Sequence, residues 1–286
     1  MKRIVVIGSS NVDTTLHVED FPKPGETINA SEVSIAGGGK GANQAIAAGA
    51  NTYFISRVGE DSFGEFIMNQ LKSYGVSLDY LETTQGQKTG HAYITLNEKG
   101  QNNIIIDHGA NYSLSSADID AANDLMDQAD CVIAQFETPI KATIEAFKIA
   151  KKKGAVTILN PAPAIEKIPT ELLKHTDLIT PNETESAKIT GIEIKSDADL
   201  VINAQKLHDL GVKNVVITYG DKGAYISSQK IQKLVPPFKV DAVDTTGAGD
   251  TFIGFLAGNL KKDLSNLEEA AKIASRASSI AVQRLG

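Results

Sequence analysis

The chain has one cysteine, Cys131, in 286 residues, so no disulfide can close within it. No apolar stretch approaches the roughly 20 residues needed to cross a bilayer, and the apolar run in the opening MKRIVVIGSS is shorter than a signal-peptide core. These absences point to a reducing, cytoplasmic setting and to no membrane partner. Positive charge is also scarce. Against 35 Asp and Glu there are 28 Lys and Arg, a net charge of −7, which argues against nucleic acid as a partner. The five histidines show no HExxH or clustered spacing, so zinc is not indicated. No internal repeat, charge block or low-complexity linker interrupts the chain.

Apolar residues make up 42% of the chain and charged residues 22%, the balance of an ordinary folded protein. Arg3 to Gly8 (RIVVIG) is a continuous β-branched run closed by glycine, the signature of a strand buried on both faces. Asp130 to Gln135, Ala155 to Leu159, Asp177 to Thr180 and Asn214 to Thr218 repeat the signal. Helical patterns lie between such runs, as at Phe63, Phe66, Ile67, Leu71 and Tyr74, or from Ile144 to the Lys151–Gly154 stop. The alternation predicts an α/β fold, a mostly parallel sheet with helices on both faces. Thr14 to Ile35 and Thr89 to His108 break the rhythm. HAYITLN and NNIIIDH flank the turn-forming Glu98-Lys99-Gly100, so both segments read as antiparallel strands of a small separate β-sheet near the functional edge.

Two glycine-rich stretches carry the chemistry. In DTTGAGDTF, Asp244 to Phe252, a helix begins after Thr246. Its first-turn amides and partial positive charge make an anion site, and Gly247 and Gly249 let a phosphate approach closely. A carboxylate at Asp250 would repel that phosphate unless it serves as the base for an attacking alcohol; helix capping by Asp244 and Asp250 is the plainer alternative. The second stretch, AGGGKGANQ from Ala36 to Gln44, places Gly41 after Lys40, so neither the P-loop nor the Rossmann pattern fits. Lys40 and Asn43 speak against a mere hinge, and Asn43 suits a polyol hydroxyl. Asn11 and Asp13 follow the first strand at the edge where open α/β sheets bind ligands, with an Asx turn as the alternative.

TPNETE, Thr180 to Glu185, joins a strand to a helix. Asn182 and Glu185 lie one turn apart, where both could face Mg²⁺ directly or through water; a capping arrangement explains the same spacing. Thr218 to Gly223 (TYGDKG) reads either as a nucleotide-lining turn or as a simple hairpin.

In their order and spacing, GSSNVD (Gly8 to Asp13), GGGKGANQA (Gly37 to Ala45), NPAPA (Asn160 to Ala164), TPNETE and DTTGAGDTF resemble the ribokinase, or PfkB, family of sugar kinases, nearly end to end. The resemblance implies a ribokinase-like three-layer fold in one domain, 1–286, with a β-sheet lid from about 10–36 and 88–110. It implies ATP-dependent transfer of the γ-phosphoryl group to the 5-hydroxyl of D-ribose, with other small sugars (deoxyribose, fructose, a nucleoside) or a non-catalytic sugar-binding role as alternatives. On the same ground Asp250 matches the catalytic base, and Gly247, Ala248 and Gly249 match the anion hole. Asn11, Asp13, Gly39, Lys40, Asn43 and Glu137 match the sugar-binding set. Asn182 and Glu185 match the motif that organises Mg²⁺ and the phosphates, with Thr218 and Gly220 beside the nucleotide. A monovalent cation, usually K⁺, would take Asp244, Thr246, Ala281, Arg284 and Gly286 as ligands. Family members continue with a further segment beyond the position of Gly286. Lids of this kind pair two subunits, so a homodimer is implied.

Overall fold

In the computed structural model, residues 2–49 and 51–284 are described. Thirteen strands among them form two sheets. In the larger lie β1 (Ile4–Ile7), β4 (Thr52–Gly59), β5 (Leu81–Thr84), β8 (Cys131–Ala134), β9 (Val156–Leu159), β10 (Leu178–Ile179), β11 (Asn214–Thr218), β12 (Ala224–Ser227) and β13 (Gln232–Val235). Their order is β13-β12-β11-β10-β9-β8-β1-β4-β5. Pairing is parallel from β5 through β11, and only β12 and β13 run antiparallel to their neighbours.

The core lies on both faces of this sheet, which is why its central strands are unbroken apolar runs. Side chains alternate across a strand. Accordingly Val5 and Ile7 of β1 join a cluster with Phe147, Leu200 and Leu207, while Ile4 and Val6 join one with Phe54, Ile67, Phe252 and Leu256. Helices Ile140–Lys153 and Asp197–Asp209 cover the first face; Lys40–Ala48, Ser62–Ser73, Ala248–Asn259 and Leu267–Ala281 cover the second. The result is the expected three-layer arrangement.

The second sheet holds β2 (Asn11–Val18), β3 (Glu32–Gly38), β6 (Gly90–Asn97) and β7 (Asn102–Asp107), ordered β3-β2-β6-β7. Each hairpin is internally antiparallel, as expected, but β2 and β6 pair in parallel. The reason is topological. After β3 the chain returns to the main sheet to lay down β4 and β5, then re-enters through β6 in the same direction as β2.

One cross-strand row of this sheet runs Ile35–Thr14–Tyr93–Ile105, and the adjacent row on the opposite face runs Ala36–Asp13–Ala92–Ile106. Asp61 ties the second hairpin down. It caps helix Ser62–Ser73 through Gly64 N at 2.8 Å and also accepts from Thr89 N at 2.8 Å.

Candidate active site

The carboxyl ends of the parallel strands converge on one region, as open α/β sheets require of a ligand site. Ser9 to Asn11 follow β1, Gln135 to Glu137 follow β8, Asn160 follows β9, Thr180 to Asn182 follow β10, and Thr218 ends β11. A cavity of about 210 Å³ there is lined by Lys40, Asn160, Thr180, Asn182, Glu185, Thr218, Thr245, Gly247, Gly249 and Asp250, among others. Seven residues singled out from sequence therefore share one wall.

Two helix starts face this cavity. Gly39, which precedes helix Lys40–Ala48, has φ 90°, and Gly247, which precedes helix Ala248–Asn259, has φ 70°. Both values are in the region that side chains disfavour. No side chain caps the second helix; its Ala248 amide donates to Thr245 O at 3.2 Å, which leaves the flanking Gly247 and Gly249 amides for an anion. Gly249 is different in kind. A Cβ built there would touch nothing, so the chain's own packing does not demand glycine.

Asp250 occupies the third position of that helix but does not cap it. It is buried, and its carboxylate is held from another helix: Gln44 Nε2 donates to Oδ1 at 2.8 Å and Asn43 Nδ2 to Oδ2 at 3.2 Å. The plain capping alternative thus fails for Asp250. Asn43 acts first on this carboxylate, a contact that the polyol reading did not foresee.

Asn182 and Glu185, by contrast, do form the capping box. Glu185 N donates to Asn182 Oδ1 at 2.7 Å, and Asn182 N donates to Glu185 Oε2 at 2.9 Å. Both also line the cavity, so the capping arrangement does not exclude a ligand role. Asn182 is bridged in parallel to Thr218, which brings those two together. Gly220 lies in the 220–222 turn between β11 and β12, and that pair is the hairpin weighed for TYGDKG.

Glu137 is buried and accepts from Lys40 N at 3.1 Å and from the Ser9 hydroxyl. Asn11 is buried too, and Asn111 Nδ2 donates to its Oδ1 at 2.7 Å, which leaves the Asn11 amide hydrogens as the donors it can offer a ligand. Burial, then the neighbouring Glu137, pushes the Asp13 carboxyl up to about 6.

The charges form one coupled group. Burial pushes Asp250 upward, against the pull of Lys40, Gln44 and Asn43. Burial likewise raises Glu185, opposed by the Asn182 amide and Lys40. Burial pulls the Lys40 ammonium down, but Asp250, Glu137 and Glu185 outweigh it and leave Lys40 above its ordinary value. Several carboxylates around one ammonium suit polar hydroxyls and a hard cation. Among the described residues, no group of three or more His, Cys, Asp or Glu could hold a metal by itself.

At the edge of the site, Asp244 N donates to Val282 O at 3.1 Å, Thr246 N to Asp244 Oδ1 at 2.9 Å and Arg284 N to Ala281 O at 3.2 Å. Asp244, Thr246, Ala281 and Arg284 are thus gathered at one place; Gly286 lies outside the described residues. Ala281 also lines a separate apolar groove of about 570 Å³ with Phe238, Phe255 and Ile273.

Sequence reasoning named no role for Gln44, Gln135, Asn160, Asn111 or Ser9. Their partners lie far away along the chain, 206 positions in the case of Gln44 and Asp250, so no local spacing could reveal them. The only signal was that Ser9, Gln44 and Asn160 sit inside the quoted motifs.

The sequence profile described as pfkB family carbohydrate kinase matches residues 1–286. The chain is 50% identical to the bifunctional ribokinase/ribose-5-phosphate isomerase A of Fructilactobacillus sanfranciscensis, covering all of this chain but 54% of that protein's length. It is 43% identical to a ribokinase of Staphylococcus aureus, covering 99% of this chain and 94% of that one. A solved structure of Arabidopsis thaliana ribokinase complexed with ribose and ATP superposes with a TM-score of 0.88 at 37% identity, covering 100% of this chain and 94% of that one.

Proposed function

This chain belongs to the pfkB family of carbohydrate kinases, and on that premise we propose that it transfers the γ-phosphoryl group of ATP to the 5-hydroxyl of D-ribose, giving D-ribose 5-phosphate and ADP. The observation that carries this reading is the placement of Asp250. A buried carboxylate held by two side-chain amides borders the same cavity as Gly247 and Gly249 at a helix N-terminus. One group suits a proton leaving an alcohol, and the other suits the charge on a phosphoryl group. The similarity to the Arabidopsis protein bound to ribose and ATP supports the pair of substrates.

In this mechanism Asn11, Asp13, Gly39, Lys40, Asn43 and Glu137 hold the sugar with its 5-hydroxyl toward Asp250. As the hydroxyl oxygen bonds to the γ-phosphorus, Asp250 takes the proton. The bond from that phosphorus to the β–γ bridging oxygen breaks, and ADP leaves with the electron pair. The Gly247–Gly249 amides and Lys40 absorb charge on the group in transit. Asn182, Glu185, Thr218 and Gly220 would serve the nucleotide, and Glu185 would hold Mg²⁺ through water. One or two carboxylates plus phosphates are the usual Mg²⁺ ligands, which fits the sparse acidic set. Asp244 and the Thr246 carbonyl, with the 281–284 stretch, would hold K⁺.

The four-stranded sheet is the lid that keeps water from the phosphoryl group. Its exposed Val33, Ile35, Tyr93, Ile104 and Ile105 support pairing with a second copy through the lid. A cytoplasmic setting fits the lone, buried Cys131.

The test is coupled ADP release with D-ribose, 2-deoxyribose, fructose and adenosine, in sodium and then potassium, with Mg²⁺ and ATP present. Turnover that prefers ribose and rises with potassium is expected. A different preferred sugar overturns the substrate, and no turnover with any of them overturns the kinase reading.

A further inference from the structure

Behind Asp250 lies a chain of buried amides. Gln135 Nε2 donates to Gln44 Oε1 at 2.7 Å. Gln44 Nε2 donates to Asp250 Oδ1 at 2.8 Å and to Asn160 Oδ1 at 3.0 Å, and Asn160 Nδ2 donates to Thr180 O at 3.1 Å. Gln44 and Gln135 are fully buried and Asn160 nearly so.

The direction of this chain is imposed from the Asp250 end. An ionised carboxylate only accepts hydrogen bonds, so Gln44 must turn its NH₂ toward Asp250. Its carbonyl oxygen then faces Gln135, which must donate in turn. Gln135 Oε1 is left pointing at Gly8, where a Cβ would collide with it, and it is buried without a hydrogen-bond partner. An orphaned buried acceptor is destabilising. Flipping Gln135 would not relieve it, because two carbonyl oxygens would then meet at Gln44. The orphan is therefore the consequence of turning the Gln44 donor toward the carboxylate.

The two Asp250 oxygens are not equivalent. Oδ1 takes the short bond from fully buried Gln44, while Oδ2 takes the longer one from Asn43, which is less buried. Lys40, Glu137 and Glu185 are the charged groups that act on Asp250 from the other elements around it, and none of them fixes its rotation. We propose that Gln44, locked by Gln135 and Asn160, is the positioning residue for the base: it pins Asp250 Oδ1 to the interior and presents Oδ2 to the attacking hydroxyl.

This inference rests on the kinase reading above. A misplaced base costs rate more than binding, and a hydrogen bond to the ionised form holds the carboxyl's pKa down. Gln44→Met keeps the volume and removes both. It should lower kcat about tenfold to a hundredfold with a small change in KM for ribose. The acid limb of kcat, read with ribose saturating so that Asp13 is already engaged, should move to higher pH by about one unit. Gln135→Met, which touches no substrate, should move kcat and the limb in the same directions by less. The decisive arm is the double variant Gln44→Met/Asp250→Asn, expected to be no slower than Asp250→Asn alone, because the first residue acts only through the second.

Should Gln44→Met fail to fold, the Gln135→Met profile carries the test. Wild-type turnover with kcat and acid limb unmoved in these variants overturns the positioning role alone, as does an additive loss in the double variant. A wild-type chain that phosphorylates no sugar overturns the kinase reading and this inference with it.

Discussion

The backbone amide of Lys40 donates to the Glu137 carboxylate across 3.1 Å, so the first residue of one helix is held by the loop after a central strand. The Ser9 hydroxyl donates to the same oxygen. One carboxylate oxygen thus joins the β1 loop, the glycine-rich turn and the β8 loop, and in the proposed site the other would accept from a sugar hydroxyl. Glu137→Ala should raise KM for ribose about tenfold or more, and stranding two buried donors should lower stability by about 1–3 kcal/mol. Glu137→Gln, which still accepts, should keep most of the stability. Steady-state kinetics beside thermal melts would separate the two effects, and an unchanged KM in Glu137→Ala would remove the residue from the sugar site.

Gly249 gives the opposite pattern. A glycine inside a helix destabilises it by about 0.5–1 kcal/mol relative to alanine, and none of the described residues occupies the space where a Cβ would stand. Gly249→Ala should therefore melt at the same temperature or a higher one. If the space serves a phosphoryl group, kcat/KM should still fall by about tenfold or more, since one methyl group displaces the donor from its target. Wild-type kinetics in that variant would end the anion-hole assignment.

At Glu185 the capping role and the proposed Mg²⁺ role can be pulled apart. Glutamine completes a capping box as glutamate does, so Glu185→Gln should keep the melting temperature. The missing charge should raise the Mg²⁺ concentration needed for half-maximal turnover. Glu185→Ala should lose the cap as well, at about 0.5–2 kcal/mol. Titrating Mg²⁺ at fixed ATP would read this, and identical Mg²⁺ curves for wild type and Glu185→Gln would refute the metal role.

The lid face has its own test. Ile104 and Ile105 are 52% and 71% exposed on neighbouring positions of β7 and face opposite sides of the sheet. Placing charge at both covers either mode of packing. Ile104→Asp/Ile105→Asp should sediment as a monomer where the wild type sediments as a dimer. A wild-type monomer at micromolar concentration, or an unaffected dimer, would contradict pairing through the lid.

Legibility in the sequence follows burial. The strands β1, β8, β9 and β11 are apolar runs because helices cover both faces, and that signal needs no distant partner. β4 escaped because Ser56 and Arg57 interrupt TYFISRVG. Its polar groups are satisfied by residues remote in sequence, with Ser56 Oγ donating to Gly8 O at 2.7 Å and Arg57 paired to Asp118 at 2.6 Å. The glycine motifs were visible because special backbone geometry leaves a local mark. Gln44 and Gln135 were not, since an amide in a sequence does not show what it faces. Asn182 and Glu185 could be read only as capping or binding, and the fold does not force the choice, since the pair that forms the capping box also lines the cavity.

In the proposed site Asp13 links stability to sugar binding through pH. Its carboxyl is pushed from 3.8 to about 6, by burial first and by Glu137 second. A carboxyl that holds its proton more tightly folded than unfolded favours the fold while protonated. That contribution is fully present below pH 3.8 and is lost as pH rises through about 6. At neutral pH the ionised group therefore costs about 1–3 kcal/mol, allowing for its partial exposure. Asp13→Asn should raise the melting temperature of the ligand-free protein at pH 7.5 and lose that advantage near pH 4. Sugar hydroxyls donate to the ionised form, so wild-type kcat/KM for ribose should fall as pH drops below about 6, with Asp13→Asn already low at every pH. Asp13→Asn melting below wild type at pH 7.5 would show that this carboxylate is not strained by its site, and a wild-type profile flat from pH 7.5 to 5 would show that the reaction does not use it.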